Sequence, residues 1–146
     1  MLPEAHGWRV LLIDSNILMY AAGAKHPHKR PSLALLERVA TGEVEAAINA
    51  EVLQEILHRY RAIDRWDDGR RVYDLARQLF PMVIPVTSDI MDRAREILDT
   101  TRNIMARDAV HAAVVLVEGL DAICSYDRDF DRIEGIRRVE PGPPPT

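Results

Sequence analysis

Short apolar runs alternate along this chain with longer segments whose apolar residues recur at helical spacing. The first run, Arg9 to Ile13, stops abruptly at Asp14, as a fully buried strand does. Further candidate strands span 44–48, 82–86, 121–125 and 135–139. Strands that alternate with helices pair in parallel through right-handed crossovers. The pattern therefore predicts an α/β domain with three layers, α/β/α, around a central, mostly parallel sheet of about five strands.

Helix signals fill the spaces between these strands. A periodic segment follows Ser32 and is closed by Gly42, and Asn49 can cap a second helix whose apolar stripe extends to Tyr60. Thr87 or Ser88 can cap a later helix. The remaining periodic segments span 72–79, 90–98 and 106–118. Residues 23–31 are predicted as a basic loop, 59–71 as a charged stretch and 100–105 as a connection.

The length of the chain, 146 residues, suits one domain. We expect residues 1–140 to form it and the proline-rich tail 141–146 to be disordered. No apolar run approaches the roughly 18 residues that a membrane span needs, so the expected location is the cytoplasm, without membrane contact. The single cysteine, Cys124, excludes an internal disulfide and is expected to be a buried small side chain.

The formal net charge of −4 argues against a protein that binds nucleic acid by bulk positive charge. It does not exclude nucleic acid, because a site built from carboxylates would itself contribute several of the negative charges. The position of the acidic residues is therefore more informative than their number.

Four acids occupy positions that suit a common site. Asp14 ends the first strand and Asp127 follows the fourth, and ligands of parallel sheets bind beyond the carboxyl ends of strands. Asp108 opens the most apolar helix, and Glu55 lies in a helix with a broad apolar face. Taken singly, each also fits a bland role: a turn residue, a carboxylate at a helix N-terminus, or an ion pair between Glu55 and Arg59. Four such coincidences in one chain favour a site.

The strings around these acids are LLIDSNIL, EVLQEIL, ARDAVHAA and SYDRDF. In this order and spacing they resemble the PIN-domain ribonucleases, most closely the VapC toxins of toxin–antitoxin pairs. The resemblance implies a PIN-like fold and a metal-dependent endoribonuclease that leaves a 5′-phosphate and a 3′-hydroxyl. It also implies an RNA substrate, a homodimer and a small antitoxin partner.

The resemblance assigns the catalytic and metal-binding roles to Asp14, Glu55, Asp108 and Asp127. Mg²⁺ or Mn²⁺ suits such a pocket, because hard divalent ions prefer oxygen ligands and clustered carboxylates repel one another without a cation. We expect Asp14 and Asp108 to bind the metal directly. Glu55 and Asp127 would complete the site through water molecules or a second ion.

Neighbours of the four acids are secondary candidates. Ser15 can hydrogen-bond a carboxylate or a phosphate, Asn16 can steady the loop, and Ser125 stands where the family often has threonine. Asp129 is the rival of Asp127 for the fourth acid. His111 lies one helical turn after Asp108, without a convincing set of zinc-ligand partners, and is expected to be a core or supporting residue.

Basic residues are candidates for contact with RNA phosphates. Lys25, Lys29 and Arg30 lie in the predicted loop 23–31, which also holds His26 and His28. Two further candidates, Arg102 and Arg107, precede Asp108. The same charges would equally suit a solvated surface.

Other acidic α/β folds fit less well. A haloacid-dehalogenase phosphotransferase needs a second Asp two residues after the first, where this chain has Asn16. A response-regulator receiver needs a lysine after a late strand, and the last lysine here is Lys29. Two alternatives remain open: a PIN fold that binds RNA or protein without cutting, and an RNA-processing nuclease outside toxin–antitoxin systems.

Overall fold

A computed structural model describes residues 10–142 and contains a five-stranded sheet whose strands all run parallel. The strand order is β3-β2-β1-β4-β5. The strands are β1 (Leu11–Ile13), β2 (Ala46–Asn49), β3 (Val83–Ile84), β4 (Ala122–Cys124) and β5 (Arg138–Val139). The prediction of a parallel sheet of about five strands is confirmed.

Six α-helices and one 3₁₀ helix connect these strands. The helices are α1 (Ser15–Ala22), α2 (Lys29–Ala40), α3 (Ala50–Ala62), α4 (Trp66–Leu79), α5 (Ser88–Thr100) and α6 (Ala106–Glu118). The 3₁₀ helix spans Arg128–Arg132. None of the helices in residues 10–142 is long and apolar enough to cross a membrane.

The alternating side chains of β1 separate two apolar cores. Leu11 and Ile13 face a core built with α1, α2, α3 and α4, whereas Leu12 faces a second core built with α5 and α6. Successive side chains of a strand point to opposite faces, so both faces of β1 are covered by helices. This arrangement confirms the three-layer prediction.

The direction in which the chain adds strands to the sheet reverses beside β1. From β1 the chain builds outward through β2 and β3, and it then returns to place β4 and β5 on the other side. The segments that leave β1 and β4 therefore diverge, which opens a crevice beyond the carboxyl ends of these strands. Asp14 directly follows β1, and Ser125 directly follows β4.

Several element boundaries predicted from the sequence are confirmed. The Asn49 side chain accepts a hydrogen bond from the Val52 N–H, and the Thr87 side chain accepts one from the Ile90 N–H, so both residues cap helices. Gly119 ends α6 in the left-handed conformation, with φ of 68°. Cys124 is buried, as expected.

Other boundaries differ from the predictions. Helix α1 was not predicted, because its eight residues are too uniformly apolar to show a helical period. The predicted basic loop 23–31 is shorter than expected, since α2 already begins at Lys29. The charged stretch 59–71 consists of the end of α3, a short turn and the start of α4. Strands β3 and β5 contain two residues each, fewer than their apolar runs indicated.

The division into a domain at 1–140 and a tail at 141–146 stays a prediction. Residues 1–9 and 143–146 lie outside the described residues, and they include most of the predicted tail.

Candidate active site

A pocket of about 570 Å³ lies at the carboxyl edge of the sheet, between the N-terminal parts of α1 and α6 and one face of α3. Five carboxylates and two arginines line it. Its polar lining residues are Asp14, Ser15, Asn16, Glu51, Gln54, Glu55, His58, Arg59, Arg107, Asp108 and Asp127. The four acids identified in the sequence thus meet in one pocket, although they come from four separate segments of the chain.

Asp14 sits at the floor of this pocket and is 6% exposed. Its Oδ1 accepts a hydrogen bond from the Ser15 N–H at 2.7 Å, and its Oδ2 accepts one from Ser125 Oγ at 2.7 Å. Burial raises the pKa of Asp14, while the hydrogen bonds from Ser125 and from the Ser15 N–H oppose that rise. The charged carboxylate is therefore held in a fixed orientation at an electrostatic cost that a bound cation would relieve.

Glu55 reaches the same floor from α3. Ser15 Oγ donates a hydrogen bond to its Oε1 at 2.7 Å, and His111 Nε2 lies 3.0 Å from its Oε2. Burial alone would raise the pKa of Glu55, but the contacts with His111 and Ser15 bring it below its ordinary value. Glu55 is therefore ionised, with one hydrogen bond on each carboxylate oxygen.

The tautomer of His111 follows from its buried partner Asn49. The Asn49 Oδ1 accepts from the Val52 N–H, so its amide nitrogen must be the atom that lies 3.0 Å from His111 Nδ1. Nδ1 is then an acceptor and Nε2 carries the proton donated to Glu55. Burial lowers the pKa of His111 and the nearby carboxylates raise it by more. A proton on Nδ1 would still point at the NH₂ group of Asn49, which is also a donor. The neutral form of His111 therefore satisfies every contact.

Asp108 forms the opposite wall of the pocket together with Asp127. The Asp108 carboxylate accepts the Met105 N–H at 3.1 Å, and burial raises its pKa to about 6. Single carboxylate oxygens of Asp108, Asp127 and Asp129 lie within 4.8 Å of one another. Positive charge would be needed to keep all three carboxylates ionised at this separation.

Ser125 links the floor of the pocket to the wall that carries Asp127. Its Oγ donates to Asp14, as described above, and accepts from the Asp127 N–H at 2.9 Å and from Asn16 Nδ2 at 3.1 Å. Asp127 itself caps the 3₁₀ helix by accepting the Asp129 N–H. The Asp129 carboxylate is paired with Arg132 and is absent from the pocket lining. The geometry therefore favours Asp127 over Asp129 as the fourth acid facing the pocket.

The structure separates the basic candidates into two groups. Arg107 lines the pocket, whereas Arg102 is exposed and lies outside the lining residues. Lys25 lies in the turn between α1 and α2, and Lys29 and Arg30 begin α2. None of these three residues lines the pocket.

Sequence reasoning missed part of the α3 contribution. Glu51, His58 and Arg59 line the pocket beside Glu55, at spacings of four, three and four residues from it. These are the spacings at which side chains share one face of a helix, so the helical period around Glu55 would have indicated them.

Comparisons with known proteins agree with this geometry. The model of the PIN domain family matches residues 11–136. Ribonuclease VapC13 of Mycobacterium tuberculosis is 39% identical over 130 residues, which cover 89% of this chain and 99% of the relative. The fold and the site together define a class of protein. It is an α/β domain with a carboxylate pocket at the point where the strand order of its parallel sheet reverses. The chain belongs to the PIN-domain family.

Solved structures share the fold. A crystal structure of VapBC2 from Rickettsia felis, bound to a promoter DNA fragment, matches with a TM-score of 0.73 at 17% identity, over 90% of this chain and 98% of that one. A toxin–antitoxin complex from Klebsiella pneumoniae matches with a TM-score of 0.66 at 20% identity, over 91% and 98%. The resemblance expected from the four acidic strings is thereby confirmed.

Proposed function

We propose that this protein is a metal-dependent endoribonuclease, and that it serves as the toxin of a toxin–antitoxin pair. The observation that carries the proposal is the convergence of Asp14, Glu55, Asp108 and Asp127 in one open pocket of a PIN-domain chain. A surface that only binds RNA has no use for five clustered carboxylates, because they repel phosphates. Relatives named as ribonucleases support the same activity.

The donor set of the pocket fits a hard divalent cation. Its carboxylates supply oxygen ligands, which Mg²⁺ and Mn²⁺ prefer. Asn16 also lines the pocket, and its buried Oδ1 has no hydrogen-bond partner among residues 10–142. Asp14 and Asp108 would hold the ion directly, with Glu55 and Asp127 acting through water or a second ion. When bound, such an ion activates water and neutralises charge on the scissile phosphodiester.

The residues around the carboxylates keep them in place before any substrate arrives. Ser125 and the Ser15 N–H fix Asp14, while Ser15 Oγ and His111 fix Glu55. Ligand carboxylates held by such hydrogen bonds lose little freedom on binding an ion. Arg59 of α3 and Arg107 of α6 both line the pocket and offer guanidinium groups to the phosphates of an RNA strand.

The partners proposed for the protein are RNA, a small antitoxin and a second copy of the chain. The R. felis and K. pneumoniae structures are described as a VapBC complex and a toxin–antitoxin complex, which supports an antitoxin here. The homodimer rests on the family resemblance. A toxin that cleaves RNA acts where RNA is present, and we place it in the cytoplasm.

Cleavage of a mixed RNA pool by the purified protein tests the activity. We expect cuts in Mg²⁺ or Mn²⁺ that disappear in EDTA and leave 5′-phosphate and 3′-hydroxyl ends. Asp14→Asn should lower the rate by at least about 100-fold, because it removes a direct ligand charge. Asp92→Asn, an exposed acid on α5, is the matched control and should cleave normally.

Two results would overturn the assignment. Equal cleavage by wild type and Asp14→Asn would place the activity elsewhere, and a folded protein that cuts nothing with either metal would be a binding module. Expression in a bacterial host tests the toxin role: growth should stop with wild type and continue with Asp14→Asn. Cleavage in vitro without growth arrest would instead indicate an RNA-processing enzyme.

A further inference from the structure

Four rings form a cluster beside the pocket. His28 stacks on Tyr126 with 3.6 Å between ring centroids and 10° between planes. Tyr20 lies 4.6 Å from His26, 4.9 Å from His28 and 5.5 Å from Tyr126. The cluster, which we call the ring platform, joins α1, the turn after it and the segment after β4.

The ring platform adjoins the acidic pocket along the chain, although none of its four rings is among the lining residues of that pocket. Tyr126 lies between Ser125 and Asp127, both of which belong to the site described above. Tyr20 follows Met19, which lines the pocket wall. An RNA strand that leaves the pocket on the side of Asp127 and Met19 would meet these rings with nucleotides next to the one at the carboxylates.

Solvent reaches the ring platform, and two basic residues lie close to it along the chain. His26 is exposed, and Tyr20, His28 and Tyr126 are half-buried. Lys25 and Arg30 are exposed on the same turn and at the start of α2. Aromatic faces combined with cations recognise single-stranded nucleic acid, because bases stack on the rings while the cations meet the phosphates.

The exposed ring is already fixed in orientation. His26 Nδ1 accepts a hydrogen bond from the His28 N–H at 3.0 Å, and the ring contacts both Tyr20 and His28. A side chain that is held in this way loses little conformational entropy when a base stacks on it.

We propose that the ring platform binds an unpaired base of single-stranded RNA beside the scissile phosphate, with His26 as its outer face. The proposal rests on the proposed ribonuclease function and adds a site next to the pocket at which a base of the substrate stacks. Stacking is tolerant of base identity, so the ring platform contributes affinity and register rather than a sequence code.

Fluorescence anisotropy of a labelled single-stranded RNA tests the proposal. All variants carry Asp14→Asn so that the RNA stays intact, and thermal unfolding confirms that each is folded. His26→Ala should weaken binding by about fivefold or more, the loss expected for one stacked base. His26→Phe keeps an aromatic face and should restore binding. Met91→Ala removes an exposed apolar side chain from α5 and serves as the matched control.

Each alternative result overturns the proposal. Equal binding by His26→Ala and the Asp14→Asn parent, or a parent that binds no single-stranded RNA, would exclude the stacking role. A variant that keeps RNA binding but loses the antitoxin would show that the ring platform contacts protein. Failure of the ribonuclease itself is distinguishable, because cleavage is measured in the wild type and stacking in the binding assay.

Discussion

The buried side-chain amide of Asn49 keeps His111 neutral, with its proton on Nε2, the atom that donates to Glu55. The Oδ1 of Asn49 accepts the Val52 N–H at the start of α3, and its NH₂ group donates to His111 Nδ1. The residue therefore connects a structural role, capping a helix, with a chemical one, setting the proton position on a neighbouring ring. Partners of this kind around a metal site commonly change metal affinity by 10- to 100-fold.

Asn49→Asp separates these two roles. The carboxylate keeps the cap, because Asp is as good an N-cap as Asn, but it presents an acceptor to His111 Nδ1. We expect His111 to become doubly protonated at neutral pH, and its positive charge should weaken Mg²⁺ binding by about tenfold or more. Imidazole ¹⁵N shifts report the protonation, and titration calorimetry reports the affinity. An unchanged Nε2–H tautomer in Asn49→Asp would contradict the assigned network.

Asp108 makes stability depend on pH. Burial raises its pKa in the folded state to about 6, from the ordinary value of 3.8. Above pH 6 the carboxylate is ionised in both states and destabilises the fold. As pH falls from 6 towards 4, the folded state takes up the proton first and this destabilisation disappears.

Asp108→Asn removes that ionisation. In EDTA at pH 7.5 the variant should be more stable than wild type by about 1 kcal/mol, after allowance for partial solvent screening. The advantage should shrink to near zero at pH 4. Urea unfolding at several pH values measures both quantities. A difference that stays constant with pH would show that the Asp108 carboxylate titrates normally.

Residue types and spacing were enough to find the four acids, because Asp14, Asp108 and Asp127 stand at boundaries of strands or helices and Glu55 lies within a helix that has a broad apolar face. They were not enough to find the bond between His111 and Glu55, which joins α6 to α3 across 56 residues of chain. That contact depends on how the two helices pack. The sequence predicts that His111 is a core or supporting residue, and the structure adds its hydrogen-bond partners, Glu55 and Asn49.

Helices α3 and α4 are in close contact at Gly69. A Cβ built at this glycine would lie 2.5 Å from Tyr60 Cβ and 3.1 Å from Tyr60 Cγ. The contact needs a residue without a side chain, even though glycine weakens the interior of a helix. Because α3 also carries Glu55, this contact helps to set the position of one wall of the pocket.

Gly69→Ala therefore tests how rigidly the helix pair is packed. Helix propensity alone predicts a gain of nearly 1 kcal/mol, whereas the steric overlap predicts a loss of about 1–3 kcal/mol. We expect the loss, measured by urea unfolding. Gln78→Ala, at an exposed position of α4, is the control and should be close to neutral. A stabilised Gly69→Ala would mean that α4 can move away from α3 without cost.

At the level of elements, prediction succeeded where local chemistry decides and failed where packing does. Asn49, Thr87 and Gly119 mark helix ends by their own hydrogen bonds or backbone freedom. Helix α1 shows no helical period of apolar residues. Its helical state follows from Asp14 at its start and from the buried side chains Ile17 and Leu18. The short β3 and β5 are limited by pairing with a single neighbour at each sheet edge.

Across the whole molecule, the alternation of strands and helices predicted a parallel sheet, but it did not predict the strand order. That order places β1 between β2 and β4, so the ends of β1 and β4 meet the start of α3, which follows β2. The convergence of acids far apart in sequence is a consequence of this topology. The same convergence concentrates negative charge in a protein whose formal net charge is only −4.

A divalent cation should therefore stabilise the whole fold. An ion that binds only the folded state adds about 1.4 kcal/mol at ten times its dissociation constant and about 2.7 kcal/mol at a hundred times. For a domain of this size that corresponds to an increase in unfolding temperature of about 3–10 °C. We expect Mg²⁺ or Mn²⁺ to produce such an increase at pH 7.5, compared with the protein in EDTA.

The same measurement on variants locates the ion. Asp14→Asn and Asp108→Asn should unfold at a higher temperature than wild type in EDTA, since each removes one repelling charge, and should gain little from Mg²⁺. Asp92→Asn should respond to Mg²⁺ as wild type does. An undiminished Mg²⁺ response in both pocket variants would mean that the ion binds outside the pocket, and the carboxylates would then need another counter-charge. Loss of the response in the pocket variants alone would tie the stability of the fold to the occupancy of its site.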